Sequence, residues 1–276
     1  LYAALVPPLL PGIPDAPIFI LSWEGGNSGG KTTSLRIAGS CWGQPNEKRP
    51  GPVGSWRVSA AGIEGTARLI DNCGPLILDD TQNVNTPQSV VDITYLVTHG
   101  QGGRRGNLEG TTKETAYWQT VLLSSGEAPL TSFTGAAASG AHARTLSLYG
   151  APFGDDPIQG AKVTGGLTRL LLQHYGHTGP RLIRWLLETP DVAVWIQQVY
   201  LERLLVWREA AGADRVAQRA SAYVALLDLA YIIAHDHLGI PRPETYPITL
   251  AWEAVGRASR NADRPALALL DVLSWA

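Results

Sequence analysis

The sequence of 276 residues holds no methionine, two cysteines and only 17% charged residues. Without methionine, position 1 is not a translation start, and the chain reads as a segment of a longer protein with missing neighbours. Two thiols, Cys41 and Cys73, are too few for a disulfide scaffold or a zinc site of thiolates, so reduced, buried cysteines in a cytosolic protein are expected. Long apolar runs are missing as well. The longest, Ala220 to Ala234, is too short to span a bilayer and contains Asp228. The apolar start carries Pro7, Pro8, Pro11 and Pro14 and lacks the basic flank of a signal peptide. A soluble, cytoplasmic protein with no membrane partner follows as the expectation. A broad basic surface is absent too, since the formal net charge is −2. Wrapping duplex DNA is thereby excluded, and any nucleic-acid contact has to be local, in a loop or a channel. What the chain does have is apolar content: 45% hydrophobic residues are enough for a sizeable core and exclude disorder as its main character.

The character of the sequence changes near residue 150. Before it, glycine-rich loops separate short β-branched and aliphatic runs at Pro17–Trp23, Ser55–Ser59, Pro75–Asp80, Tyr117–Ser124 and Arg144–Tyr149. Strands alternating with helical stretches predict an α/β layer around a mostly parallel sheet. Beyond Gly154 helical periodicity takes over. Val216, Ala220, Tyr223, Leu227, Ala230 and Ala234 recur at spacings of three and four, one face of a long helix that stops at Gly239 and Pro241. Pro180 and Pro190 each open a further apolar-periodic segment, as proline does in a first helical turn. The expected organisation is an α/β domain over 1–154 and a helical domain over 155–276.

One motif carries chemistry without ambiguity of pattern. Gly25, Gly26, Asn27, Ser28, Gly29, Gly30, Lys31 and Thr32 fit G-x-x-x-x-G-K-[ST], with the strand Ile18–Trp23 before them and a helix bearing Leu35, Ala38 and Cys41 or Trp42 on one face after them. Glycines let successive backbone N–H groups curl around phosphates, and the helix N-terminus adds positive potential. Only four of the 22 basic residues are lysines, and one stands where the motif requires it. Lys31 is expected to reach the β- and γ-phosphates of ATP, with Thr33 completing the cradle and the Thr32 hydroxyl ligating Mg²⁺.

Such a loop needs an acidic partner for magnesium at the end of a neighbouring apolar strand. Pro75-Leu76-Ile77-Leu78-Asp79-Asp80 supplies it. Asp79 is expected to hold the Mg²⁺ shell, and Asp80 to polarise an attacking water, the step a hydrolase needs and a mere binder does not. The apolar strand ending in Ser124-Ser125-Gly126-Glu127, placed beside the acidic strand, offers Ser124 or Ser125 to the γ-phosphate or the water. Arg144 opens the last strand, where a guanidinium could neutralise charge shifting in the transition state. Arg104 and Arg105, in the glycine-rich stretch from His99 to Gly106, are the best candidates for a nucleic-acid backbone contact. The histidines have no metal-like company, and the nine tryptophans read as packing residues.

This run of motifs resembles the family of domains of unknown function 927. The resemblance rests on "VPPLL" at Val6–Leu10, "GGNSGGKTTSLRIAGSCWGQP" at Gly25–Pro45, Trp56-Arg57, "NCGPLILDD" at Asn72–Asp80 and "YLVTHGQGGRRG" at Tyr95–Gly106. It continues through "WQTVLLSSGEAPL" at Trp118–Leu130, Arg144 at a strand entry and the helical stretch Gly212–Ile240. The family occurs in primase–helicase-like proteins of plasmids, phages and other mobile elements. The resemblance implies a P-loop ATPase core of the AAA+ or superfamily 3 helicase type, a homo-oligomeric ring, and Arg144 serving the neighbouring subunit's nucleotide. One departure stands out. The family usually has Asp-Glu at the acidic strand end where this chain has Asp79-Asp80, which implies slow hydrolysis or Glu127 as a substitute.

Two functions follow as expectations. The first is an ATP-driven helicase or translocase module of a replication protein, dragging single-stranded or forked DNA by its backbone. The second is a nucleotide-controlled switch or assembly ATPase with protein clients, to which weak hydrolysis is suited. A small-molecule kinase is disfavoured, since the helical tail shows no acceptor-binding acid or lid arginine cluster.

Overall fold

The computed structural model describes residues 1–26, 29–46, 51–103, 114–133 and 144–262. Five strands form one parallel sheet: β1 (Ile20–Glu24), β2 (Gly54–Ser55), β3 (Leu76–Asp79), β4 (Leu122–Gly126) and β5 (Thr145–Tyr149), in the order β2-β3-β4-β1-β5. All five expected strands form. β2 is shorter and earlier than expected because Trp56 turns inward, its Nε1 donating to Ser124 Oγ at 3.0 Å, and Ser59 leaves the strand to cap a helix. The acidic strand β3 is separated from β1 by β4. Register brings the carboxyl ends of four strands to one edge: Glu24 pairs with Gly126 and Tyr149, and Leu78, just before Asp79, with Ser124. In open parallel sheets that edge is where ligands bind.

The helices α1 (Tyr2–Leu5), α2 (Lys31–Ser40), α3 (Ala60–Ile70) and α4 (Pro87–His99) belong to the first half. α2 lays Leu35 and Ala38 against Ile77, Leu123 and Leu146 on one face of the sheet, while Ile63 of α3 and Val90, Ile93 and Val97 of α4 cover the other with Ile20, Leu78 and Leu122. Side chains cap two of these helices. Ser59 accepts from Gly62 N at 3.1 Å, and Thr86 from Ser89 N at 3.2 Å just before Pro87 opens α4. The proline-rich start is a buried 3-10 turn, Pro7–Gly12, in which Leu9 and Leu10 join the core.

After β5 the chain is helical: α5 (Pro157–Leu171), α6 (Thr178–Glu188), α7 (Val192–Ala211), α8 (Arg215–Asp236) and α9 (Ile248–Ala262). Pro180 sits in the first turn of α6, whereas Pro190 precedes α7 without entering it. α8 differs from the one-faced amphipathic helix expected. Val224, Leu226, Leu229 and Ile233 are buried along with the predicted stripe from Ala220 to Ala234, because α1, α7 and α9 pack around it. It is long and apolar enough to cross a membrane, but 72% of that stretch is buried inside the protein. Full burial of each large aliphatic side chain contributes about 1.5–3 kcal/mol, so α8 is the mainstay of the core. That core runs across residue 154: Leu5, Leu9, Phe19 and Leu35 share one cluster with Leu182, Tyr200, Leu226 and Ile233. Inside it Asp228 accepts from Trp207 Nε1 at 3.0 Å and from the Tyr246 hydroxyl, and forms an ion pair with Arg203, whose Nε lies 3.0 Å from Oδ2. Cys41 is buried as expected, but Cys73 is exposed, since it lies in the turn between α3 and β3.

Candidate nucleotide site

The loop leaving β1 is shaped by glycines at two strained positions. Gly25 has φ +138° and Gly30, the residue before α2, φ +86°, conformations that L side chains avoid. Gly30 is constrained twice, because a Cβ there would lie 2.5 Å from the Phe153 ring and 3.0 Å from Thr164 of α5. Asn27 and Ser28 lie outside the described residues. From the first turn of α2, Lys31 reaches back across the loop, its Nζ donating to Gly25 O at 2.8 Å and to Gly26 O at 2.5 Å. An ammonium carries three N–H donors, so the loop carbonyls take two and hold the head group in place while the third can point at an anion. Thr33, one residue after Thr32, is buried.

Thr32, also in that first turn, meets the acidic strand. Its Oγ1 donates to Asp79 Oδ2 at 2.9 Å and is 3.2 Å from Oδ1. Ser125 at the end of β4 donates from Oγ to Asp79 Oδ1 and accepts from Asp80 N at 3.1 Å. Three elements distant in sequence thus meet over one carboxylate. The strand between β1 and β3 is what makes this possible, because it delivers Ser125 beside Asp79 while α2 supplies Thr32 from above. Ser124 faces the opposite way, and its Oγ accepts from Trp56. Of the two serines, Ser125 reaches the cluster.

A hydroxyl and a carboxylate side by side are hard oxygen donors of the kind Mg²⁺ prefers. Among the described residues no group of three or more His, Cys, Asp or Glu side chains could cage a metal. Mg²⁺ takes one or two protein oxygens and completes its octahedron with phosphate and water oxygens. Thr32 and Asp79 fit such an ion.

Asp80 directly follows the acidic strand β3. It has φ 59° and ψ 90° and starts the 3-10 turn Thr81–Asn83, with Oδ1 accepting from Gln82 N at 3.1 Å and Oδ2 from Asn83 Nδ2 at 2.9 Å. Both oxygens are engaged within the turn. Positive φ at a non-glycine residue costs of order 1–3 kcal/mol and tends to cluster at working sites. The turn packs tightly on the exit of β4, where a Cβ on Gly126 would fall 2.2 Å from Thr81 Oγ1. That closeness lets Gln82 Nε2 donate to Glu127, putting the second acidic candidate next to Asp80.

Arg144 lies at the start of β5, which pairs in parallel with β1, so it stands at the sheet edge opposite the phosphate loop. Ile20 N donates to Arg144 O at 2.8 Å, and its guanidinium lies close enough to Tyr223 of α8 to counter part of the rise that burial imposes on that hydroxyl. With the length of a five-residue strand between them, roughly 16 Å, Arg144 does not touch this chain's own loop. Arg104 and Arg105 lie outside the described residues.

Sequence reasoning missed Glu24. Directly before the first loop glycine it reads as the solvated end of a strand, yet it is fully buried. Its Oε1 accepts from Leu130 N at 3.1 Å and from Ser147 Oγ at 2.9 Å. Oε2 makes no hydrogen bond of ordinary geometry among the described residues. Burial pushes its carboxyl above the ordinary carboxylate range, and the Leu130 N–H and the Ser147, Tyr149 and Ser22 hydroxyls pull it partly back. The only hint in the sequence was a charge at the end of an otherwise apolar central strand.

Comparison with solved structures finds the same fold in a protein described as "SCCmec type IV Cch - active helicase", with a TM-score of 0.69 and 19% identity. The match covers 94% of this chain and 46% of the neighbour, so the chain spans about half of that protein. No curated protein matches the chain. A family model described as "Domain of unknown function (DUF927)" matches residues 1–117, a span holding the phosphate loop and the acidic strand but ending before Trp118–Leu130 and Gly212–Ile240. Over residues 1–117, then, the chain is similar to the DUF927 family.

Proposed function

We propose that this chain is the ATP-binding and hydrolysing motor module of an AAA+-type helicase or translocase acting on DNA as a ring. The observation that carries the reading is the convergence of Lys31, Thr32, Asp79 and Ser125 at the carboxyl edge of a sheet in which β4 separates the loop strand from the acidic strand. The loop N–H groups and the remaining Lys31 donor bind the β- and γ-phosphates. Thr32 and Asp79 hold Mg²⁺, which when bound neutralises charge on the phosphate oxygens. Ser125 fixes the rotamer of Asp79. In hydrolysis a water oxygen forms a bond to the γ-phosphorus as the bond from that phosphorus to the β–γ bridging oxygen breaks, and the water's proton passes to a carboxylate. Asp80 takes that proton once its turn releases it, with Glu127 as the adjacent substitute. Arg144 acts on a neighbour's nucleotide in trans, a role its position at the far edge of the sheet favours over action in cis. Arg104 and Arg105 contact single-stranded or forked DNA.

A switch or assembly ATPase is the second reading, favoured by the engagement of both Asp80 oxygens within the 3-10 turn. Steady-state ATP turnover with and without single-stranded DNA separates the two, comparing wild type with Arg104→Ala/Arg105→Ala. The motor reading expects DNA to raise turnover several-fold and the double substitution to abolish the rise. Turnover indifferent to DNA, with ATP changing oligomer size, overturns it in favour of the switch.

A further inference from the structure

The phosphate loop is tied to the rest of the sheet through the residue before it. Glu24 O accepts from Gly150 N at 3.3 Å, and Gly25 N donates to Gly126 O at 3.3 Å, so backbone bonds fasten the loop's root to β5 and β4. The Glu24 side chain adds attachments that the backbone alone does not provide. It points to the sheet face shared with Ile20, opposite α2, and joins Ser147 of β5 to the N–H of Leu130, where the 3-10 turn Leu130–Phe133 begins. That turn follows β4 and its Ser125. Tyr149, two residues beyond Ser147 on the same face of β5, lies close enough for its hydroxyl to act on the same carboxyl. Over the Tyr149 ring, 5.7 Å from its centroid, stands the guanidinium of Arg257 in α9.

Hydrophobic packing has no need of a fully buried carboxylate at this point. Taking a carboxyl out of water without full compensation costs several kcal/mol. Packing alone would favour a residue like Ile20, which occupies the same face two pleats earlier. Ser22, between them, is buried and polar too, so β1 becomes polar on this face as it approaches the loop. The carboxylate serves a purpose if its job is to fix one geometry among three elements that must move together.

We propose that Glu24 is a positioning residue that couples the phosphate loop to β5, to the 3-10 turn after β4 and, through Tyr149 and Arg257, to the last helix. It touches neither nucleotide nor metal. It holds the loop's root in register with the serine strand and with the helical region, so that a change at the γ-phosphate is passed to α9. This rests on the nucleotide-hydrolysis reading above.

The test separates binding from turnover in the full chain, using equilibrium binding of a fluorescent ATP analogue with Mg²⁺ alongside steady-state hydrolysis of ATP. Variants are Glu24→Ala, Glu24→Gln, Ser147→Ala and, as a control on the underlying reading, Lys31→Ala. Glu24→Ala is expected to lower kcat at least tenfold while moving the nucleotide Kd less than threefold. Glu24→Gln keeps an oxygen that can accept from Leu130 N and Ser147 Oγ, so it restores most of the lost kcat. Should Glu24→Ala fail to fold, Ser147→Ala decides, with a kcat reduced about threefold at unchanged Kd. Wild-type kcat in Glu24→Ala or Ser147→Ala, or a loss in Glu24→Gln as deep as in Glu24→Ala, overturns the coupling role. If wild type neither binds nor hydrolyses ATP, or Lys31→Ala matches an active wild type, the nucleotide reading itself falls and the coupling role with it.

Discussion

Replacing Lys31 with alanine is the sharpest perturbation of the proposed site. The ammonium is fixed by Gly25 O at 2.8 Å and Gly26 O at 2.5 Å, which leaves one N–H for a phosphate oxygen. A hydrogen bond to a charged partner is worth about 1.5–3 kcal/mol. Deleting that bond therefore weakens ATP binding by about 10- to 150-fold. Turnover falls further, because the charge that Lys31 faces grows on the leaving phosphate in the transition state. The fold is little affected: the two carbonyls freed lie in a half-exposed loop and pass to water, so stability changes by less than about 1 kcal/mol. The assay is a titration of fluorescent ATP analogue with Mg²⁺, paired with a thermal melt without nucleotide. An unchanged Kd with an unchanged melt would refute the assignment of Lys31 to phosphate. A collapsed melt would show the ammonium serving the fold instead.

Other expectations follow from the same geometry. Ser125→Ala deletes a donor to Asp79 and the acceptor for Asp80 N, so kcat drops by about 10- to 100-fold with nucleotide affinity nearly unchanged, read by steady-state hydrolysis and binding. Gly30→Ala forces a Cβ to 2.5 Å from Phe153 at φ +86°, and nucleotide binding is lost more than α2 helicity, checked by binding and circular dichroism. Asp228→Ala leaves Arg203, Trp207 and Tyr246 without their shared partner and destabilises the protein by about 3 kcal/mol in chemical denaturation, somewhat less than a fully buried pair because Arg203 is a third exposed. The Glu24 carboxyl is raised in the fold above its unfolded value near 4.5, so its contribution to stability is complete below that pH and is lost as pH rises through the folded value. Melts across that window are expected to favour Glu24→Gln over wild type progressively with pH. A difference that stays flat would refute the shift.

How much could be read in advance depended on whether the cause was local. The loop, its lysine and the strand-to-helix context were legible because glycines at positive φ and a helix N-terminus are properties of a few consecutive residues. Asp79 was legible for a similar reason, as a carboxylate at the end of an apolar run. The five strands and the helical character after Gly154 follow from periodicity, itself a local pattern. Tertiary structure alone decided the order β2-β3-β4-β1-β5, since strands of similar composition carry no label of their neighbours. That order set Ser125 beside the acidic strand, while the parallel pairing of β5 with β1 left Arg144 at the amino end of the sheet, away from the loop. The packing of α1, α7 and α9 surrounded α8 where its spacing suggested one face. Tertiary structure also buried Glu24: a charge beside a glycine turn looks solvated until β5 and the turn at Leu130 close over it, and burial is a property of the whole packing rather than of any segment.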